Sequence, residues 1–322
     1  MGASPSDASG VRVARRASRV TRDMLDGERG TFRFGFGAAD DDDDDDDDAE
    51  DERRDGKRAR AEDRAAEEID ASSLECDDEA TWQGIYETHG DVEIVRGAHG
   101  STASTLDGCP EEADVVPGVY EGGLKSWECA DDLATYIATD DAFAAEMAKM
   151  KSDELHVLEL GAGQAVPGLV AMRKLSGRCE SVTLTDYNRD VVEEVTVPNA
   201  QATMALMESE KEKVPSKVRF LCGGWSGYDA FVEKGSVDVL LTSESIYDVG
   251  QYDDLCRFIA HALREKTGAC YVAAKSYYFG VGGGTNAFTT YCRKYFDLEV
   301  ESLKTFSDGS SNVRELLLVR RK

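Results

Sequence analysis

The chain has 322 residues, with 37 Lys+Arg against 64 Asp+Glu and a formal net charge of −27 at pH 7. That charge argues against a general nucleic-acid binder, which needs a basic stripe. No run of about 18 apolar residues is present, so a soluble protein is expected.

The negative charge is uneven. Residues 1–113 carry 14 Lys+Arg and 32 Asp+Glu, whereas residues 114–322 carry 23 and 32. Asp40 to Asp48 is an unbroken aspartate run, followed by mixed charge to Glu68. Such a stretch lacks the large apolar side chains needed for a core, so residues 1–80 are expected to be a disordered acidic tail. The tail is read as solvating. A sharper reading makes it a docking segment for basic partners such as ribosomal proteins or histones. Arg53-Arg54 and Lys57-Arg58-Ala59-Arg60 resemble a nuclear import signal. Arg12, Arg15, Arg16, Arg19 and Arg22 give the first residues a transit-peptide flavour, which Asp7 and the acids from Asp23 onward oppose. Cytoplasmic and nuclear residence, nucleolus included, is the expectation.

Eight cysteines (76, 109, 129, 179, 222, 256, 270 and 292) form no CxxC pair and no metal spacing with the four histidines. Reduced thiols and no metal site follow from that pattern. Residues 81–322 are read as one domain, in which 81–154 form an extension with a covering helix and 155–322 the core sheet. Short strands are expected at Glu93-Ile94-Val95 and Val115-Val116, joined by a loop from Gly97 to Gly108. Gly122-Gly123 close an extended segment. Trp127 opens a helix whose apolar face is Trp127, Leu133, Ala134 and Ile137. Residues 126–130 either cover an edge of the sheet or line a ligand site.

The centre of the chain is Val157 to Gly168, VLELGAGQAVPG. An apolar run (Leu155, Val157, Leu158, Leu160) reads as a buried parallel strand. Gly161-Ala162-Gly163 make a tight turn, Pro167 suits a first helical turn, and Val166, Leu169, Val170 and Met172 continue as a helix. Ser181 to Thr185 is the next strand and ends in Asp186. An ionised carboxylate there accepts from both hydroxyls of a ribose. A nicotinamide dinucleotide would ask for GxGxxG, yet position 166 is Val, and Glu159 is unwelcome beside a pyrophosphate. S-adenosylmethionine carries no phosphate and two cationic groups, so it suits this acidic first strand better. An adenosylmethionine-dependent transferase is the reading.

Further strands are expected at 217–222, 237–242 and 269–275, with helices from Val166, Asn188, Ser226 and Gly250. Asn188 reads as an N-cap, and Pro198 is expected to interrupt or kink the helix after Val197. A helix from Thr285 to Tyr295 precedes strands Leu298 to Phe306 and Val313 to Arg320, joined at Ser307 to Ser310. The fold class is therefore α/β: a Rossmann-like sheet of five parallel strands with a terminal antiparallel hairpin, the seven-strand sheet of methyltransferases.

Strand ends carry the chemistry in such a sheet. Gly223-Gly224-Trp225 offer backbone groups and an indole for an adenine ring, or Trp225 is simply core. Thr242 to Tyr247 close the fourth strand, which sets Glu244 and Tyr247 beside a sulfonium methyl. Lys275 to Gly284, KSYYFGVGGG, lacks the Lys-Ser/Thr of a phosphate loop. Tyr277, Tyr278 and Phe279 form either an aromatic wall for a peptide or packing under the last hairpin.

The segments VYEGGLKSWEC, LELGAG, TDYN, EVTVPN, GGW, TSESIY and YFGVGGG, in this order, resemble the histidine protein methyltransferases over about 115–320. The resemblance implies adenosylmethionine contacts at Ser126, Trp127, Glu128, Cys129 and Ala130, at Gly161, at Thr185, Asp186 and Tyr187, at Gly223, Gly224 and Trp225, and at Ser243. Glu159 and Gly163 join this set from the glycine-turn argument. It also implies a histidine of a basic large-subunit ribosomal protein as acceptor, methylated on the ring nitrogen distal to the backbone. Gly224 stands where related enzymes have an acidic residue. In the mechanism expected, a neutral imidazole is already nucleophilic and needs chiefly orientation. Glu244 or Asp248 accepts the other ring N–H while Tyr247 positions the ring. The alternatives are a lysine methyltransferase of the same fold and a noncatalytic acidic chaperone for a basic ribosomal protein. A monomer without membrane or direct nucleic-acid contact is expected.

Overall fold

The computed structural model describes residues 64–72, 74, 82–98, 115, 119–307 and 313–322. The aspartate run, the basic clusters, Cys76, Cys109 and most of the Gly97–Gly108 loop lie outside the described residues. In chain order the strands and helices are β1 (Glu67–Ile69), β2 (Gly84–His89), β3 (Val92–Gly97), α1 (Glu128–Thr139), α2 (Asp141–Lys149), β4 (Leu155–Leu160), α3 (Val166–Lys174) and β5 (Cys179–Asp186). There follow α4 (Arg189–Val191), α5 (Val197–Ser209), β6 (Lys217–Cys222), β7 (Val239–Ser243), α6 (Tyr252–Ala262), β8 (Ala269–Lys275), α7 (Thr285–Tyr295), β9 (Leu298–Phe306) and β10 (Arg314–Arg321).

The main sheet runs β1-β6-β5-β4-β7-β8-β10-β9. Strands β6, β5, β4, β7 and β8 are mutually parallel, and β10 lies antiparallel between β8 and β9. The expected five parallel strands and terminal hairpin are therefore present. The parallel strands are apolar on both faces because helices cover both. Along β4, Val157 packs with Leu133, Ile137 and Leu169 on one side, whereas Leu158 and Leu160 pack with Tyr252, Ile259 and Phe288 on the other. Each fully buried Leu or Ile contributes about 1.5–3 kcal/mol. Among the described residues no helix is long and apolar enough to cross a membrane.

Three expectations are corrected. Residues 1–80 are not wholly outside the fold, because β1 pairs antiparallel with β6 (Glu67 with Cys222, Ile69 with Phe220) and buries Ile69. Two ion pairs hold this short strand, Arg219 with Glu68 and Arg189 with Glu67. The strand expected at 93–95 is present within β3, which forms a hairpin with β2 and packs on α5, where the Thr203 hydroxyl donates to Val95 O and accepts from Val95 N–H. Ser226 opens no α-helix, since Trp225–Ala230 form a 3₁₀ turn. Pro198 does not interrupt its helix either, which continues to Ser209. A π-turn, Val192–Thr196, precedes it, with Val197 N–H reaching back to Val192 O. This wider turn accommodates a ring that would clash in a regular helix.

The six described cysteines are buried and unbridged. The Sγ atoms of Cys256 and Cys292 lie 3.5 Å apart.

Candidate functional site

The carboxyl ends of β4, β5 and β7 meet where the chain leaves β4 (into α3) and β7 (toward α6) to opposite faces of the sheet, the position at which open α/β sheets bind ligands. Gly161 and Gly163 both take the left-handed backbone conformation (φ +62° and +49°), which favours glycine. A Cβ on Gly163 would lie 2.7 Å from Gly123 O, whereas one on Gly161 would meet only Ser245 Oγ at 3.6 Å. The first glycine thus faces open space, and the second lets the 121–123 segment cross the turn.

Asp186 ends β5 beside this crossing. Its carboxylate accepts from Gly163 N–H at 3.0 Å and from Asn188 N–H at 3.1 Å. Burial pushes its carboxyl up to about 6 despite those bonds. The π-turn and α5 contribute as well: the Thr196 hydroxyl donates to Gly163 O at 2.8 Å, and Asn199 Nδ2 donates to Gln164 O at 3.0 Å. The Asn188 side chain caps no helix. It accepts from Glu121 N–H and donates to Val119 O, tying the 119–123 segment to β5.

Several expected contacts fall elsewhere. Glu159 is wholly buried under the turn, with Oε2 accepting from Gly168 N–H at 2.9 Å. Burial drives its carboxyl well above the usual range, and its Oε1 has no hydrogen-bond partner. It supports the turn rather than lining the cleft. The Thr185 hydroxyl is spent on Glu159 O at 3.0 Å. Glu128 is exposed and pairs with Arg314, which lies opposite Lys275 in the β10–β8 ladder. Ala130 is buried, and Cys129 is fully buried, its thiol pushed up by burial and then by the neighbouring Glu244 carboxylate.

Gly223 N–H donates to Asp186 O and Gly224 N–H to Arg64 O, so neither amide faces an empty site. Trp225 is half-buried against the face that holds Tyr228 and Phe258. Tyr187 lies under the Arg64 guanidinium, 5.3 Å from ring centroid to Cζ. Ser243 ends β7, its carbonyl accepting from the Ser245 hydroxyl at 3.1 Å. Ser126 Oγ is buried without a hydrogen-bond partner, and Trp127 Nε1 donates to Gly122 O at 3.0 Å.

Glu244, Tyr247 and Asp248 separate into three environments. Glu244 is non-glycine with φ +55°, a costly conformation that clusters at functional sites. Its Oε2 accepts from Tyr278 Oη at 2.5 Å, and Lys275 Nζ lies 3.9 Å from its Oε1. Tyr247 donates to the Glu121 carboxylate and meets the Tyr278 ring edge-on at 6.2 Å. Asp248 caps the turn Val249–Gln251 by accepting from Gly250 N–H at 2.8 Å, so its place is structural. Lys275 is buried, its ammonium 5.9 Å from the ring centroids of both Trp127 and Tyr278.

Glu121 and Lys275 were missed as site residues. The signal for Lys275 was its position at the end of a fully buried strand. Tyr278 is buried under the site, while Tyr277 and Phe279 are exposed and pack edge-on at 5.0 Å, so the aromatic trio divides between packing and surface. Among the described residues one group of metal-ligand type, Glu87, His89 and Asp131, lies on β2 and α1. There the Glu87 carboxylate is already bonded by His89 and Arg96.

A family described as "Lysine methyltransferase" matches residues 118–279. The chain is also similar to histidine protein methyltransferase 1 homologues. It is 33% identical to the one from Dictyostelium discoideum over 66% of this chain and 62% of that protein. It is likewise 33% identical to that of Bos taurus (61% and 55%) and to histidine protein methyltransferase 1 of Schizosaccharomyces pombe (65% and 66%). The matched region thus spans between about half and two thirds of these relatives' length.

Proposed function

The chain belongs to the lysine methyltransferase family, a group of protein methyltransferases that use S-adenosylmethionine, and on that premise we propose that it methylates a protein histidine on the ring nitrogen distal to the backbone. The acceptor proposed is a basic large-subunit ribosomal protein, in keeping with the acidic surplus of the chain.

The site suits this cofactor. Ser126 Oγ is a buried polar atom lacking a partner, Gly161 opens onto space, and Asp186 is a carboxylate for ribose hydroxyls. Cofactor contacts are proposed at Ser126, Trp127, Gly161, Asp186, Tyr187, Trp225 and Ser243, with Gly163 and Glu159 shaping the turn below. When bound, S-adenosylmethionine supplies an electrophilic methyl on a cationic sulfonium.

The acceptor type rests on one observation. The Lys275 ammonium already occupies the space between Trp127, Tyr278 and Glu244, where a substrate lysine would have to place its own cation. A second ammonium would have to share that space and the Glu244 carboxylate with Lys275, whereas a neutral imidazole competes for neither. Glu121, held by the Tyr247 hydroxyl, is the carboxylate best placed to accept the N–H of the imidazole's other nitrogen. It fixes the tautomer whose distal nitrogen carries the lone pair, and it receives the N–H proton after transfer. Orientation of this kind is worth up to about 7–11 kcal/mol in well-aligned cases. Glu244, locked by Tyr278, supports the wall of the site instead.

The test supplies labelled S-adenosylmethionine and a ribosomal-protein extract, then hydrolyses the product to amino acids. Methylhistidine substituted on the distal nitrogen is expected. Methyllysine, the acceptor named in the family description, would overturn the histidine assignment while leaving the cofactor in place.

A further inference from the structure

Strand β1 and the three residues before it do more than extend the sheet. The segment 64–66 lies on the loop that leaves β6. Gly224 N–H donates to Arg64 O at 2.9 Å, and the Arg64 guanidinium reaches Val119 O at 3.3 Å while covering the Tyr187 ring. The approach is close enough to require glycine underneath. A Cβ on Gly223, which has φ +109°, would lie 2.5 Å from Ala65 O, and one on Gly227 would lie 2.7 Å from Ala66 Cβ. Arg64 therefore touches all three chain segments, 119–123, 186–188 and 223–225, that meet beside the end of β5.

We propose that residues 64–66 are a wall of the adenosine end of the cofactor site, clamped by β1, so that the chain N-terminal to the catalytic domain helps to hold the nucleoside. This rests on the S-adenosylmethionine reading above. Asp186 marks the ribose, and the base must then lie toward Tyr187 and Trp225, the side of the sheet that the segment covers. The clamp is electrostatic at its far end: Arg219 grips Glu68 through two nitrogens at 2.7 and 2.8 Å. Hydrogen bonding to that guanidinium holds the Glu68 carboxyl below its ordinary value. Neither Glu68 nor Arg219 is placed in the cofactor or acceptor site, so they control the wall without forming it. If the docked segment is needed for full affinity, apparent affinity scales with the fraction of time it is docked.

The experiment uses the full chain and its demethylated product cofactor, S-adenosylhomocysteine, with binding read by calorimetry. Glu68→Arg and Arg219→Glu each place like charges across the clamp, and the double reversal restores opposite charges. Each single variant is expected to bind about 3- to 10-fold more weakly, with faster amide exchange in 64–69, and the double variant to recover most of the loss. Equal affinity in the single variants despite faster exchange would overturn the proposal. So would a double variant that stays weak while its 64–69 amides are again protected. Failure of the unaltered protein to bind S-adenosylhomocysteine would instead overturn the cofactor reading, and the inference with it. An unfolding midpoint measured without ligand, expected to stay within a few degrees across the set, separates lost clamping from a lost fold.

Discussion

Glu159 Oε2 and Gly168 N–H are 2.9 Å apart, and a Cβ on Gly168 would come within 2.5 Å of that same oxygen and 2.7 Å of Leu184 Cδ2. Strand β4 and helix α3 are thus fastened by a buried carboxyl that only a glycine admits.

Gly168→Ala is therefore expected to destabilise the domain by about 1–3 kcal/mol through overpacking. Thermal unfolding reads this as a midpoint several degrees lower. Glu159→Gln keeps an acceptor at the same place, and burial already disfavours the charge. It is expected to move the midpoint far less. A larger loss for Glu159→Gln than for Gly168→Ala would mean that the buried charge itself is needed.

Asp186 couples cofactor binding to pH. Burial raises its carboxyl from 3.8 to about 6 in the fold, so ionisation costs stability: the contribution is greatest below the unfolded value and declines as pH rises through about 6. Ribose hydroxyls donate to the ionised form, so S-adenosylhomocysteine affinity is expected to rise over that same range and binding near pH 6 to release a proton. Asp186→Asn should weaken binding at least 10-fold at pH 7.5 and flatten the pH dependence, measured by calorimetry in buffers of different ionisation enthalpy.

Glu121→Gln and Tyr247→Phe remove two ends of one hydrogen bond. Each is expected to lower kcat by about 10²–10³ while leaving S-adenosylhomocysteine affinity within 3-fold, and the double variant should be little worse than either. Asp248→Ala should lose only about 0.5–2 kcal/mol of stability, as for a lost cap, with turnover retained. A turnover loss in Asp248→Ala matching that of Glu121→Gln would return catalysis to the turn after β7.

The acceptor leaves its mark on the rate profile. With a histidine substrate, kcat/KM is expected to rise with a midpoint near about 6.5 and to level off by about pH 8, because only the neutral ring attacks. A lysine acceptor would keep the rate climbing beyond about pH 9. Stopped assays across that range with purified substrate decide between them.

The central βαβ unit was legible because its signals are local: an apolar run, two glycines, and a strand ending in Asp186. The parts misread depend on partners far away in sequence. Glu159 looked like a ligand group because a charge in a strand has no local explanation, yet its partner is the Gly168 amide. Glu121 escaped notice because Tyr247 lies 126 positions later. Three residues in an acidic stretch gave no strand periodicity, and β1 exists through its pairing and two ion pairs. Pro198 was read by the rule for regular helices, which the π-turn before it sidesteps.

Strand β1 covers only the Phe220–Cys222 end of β6 on the outer margin of the sheet. An uncovered margin of this kind presents unpaired amides and carbonyls that template pairing with another chain. Proteolytic loss of the segment through Ile69 would uncover them, with the buried Phe220 beside them. The trimmed protein would then be prone to self-association, so the short strand also acts as a guard against aggregation.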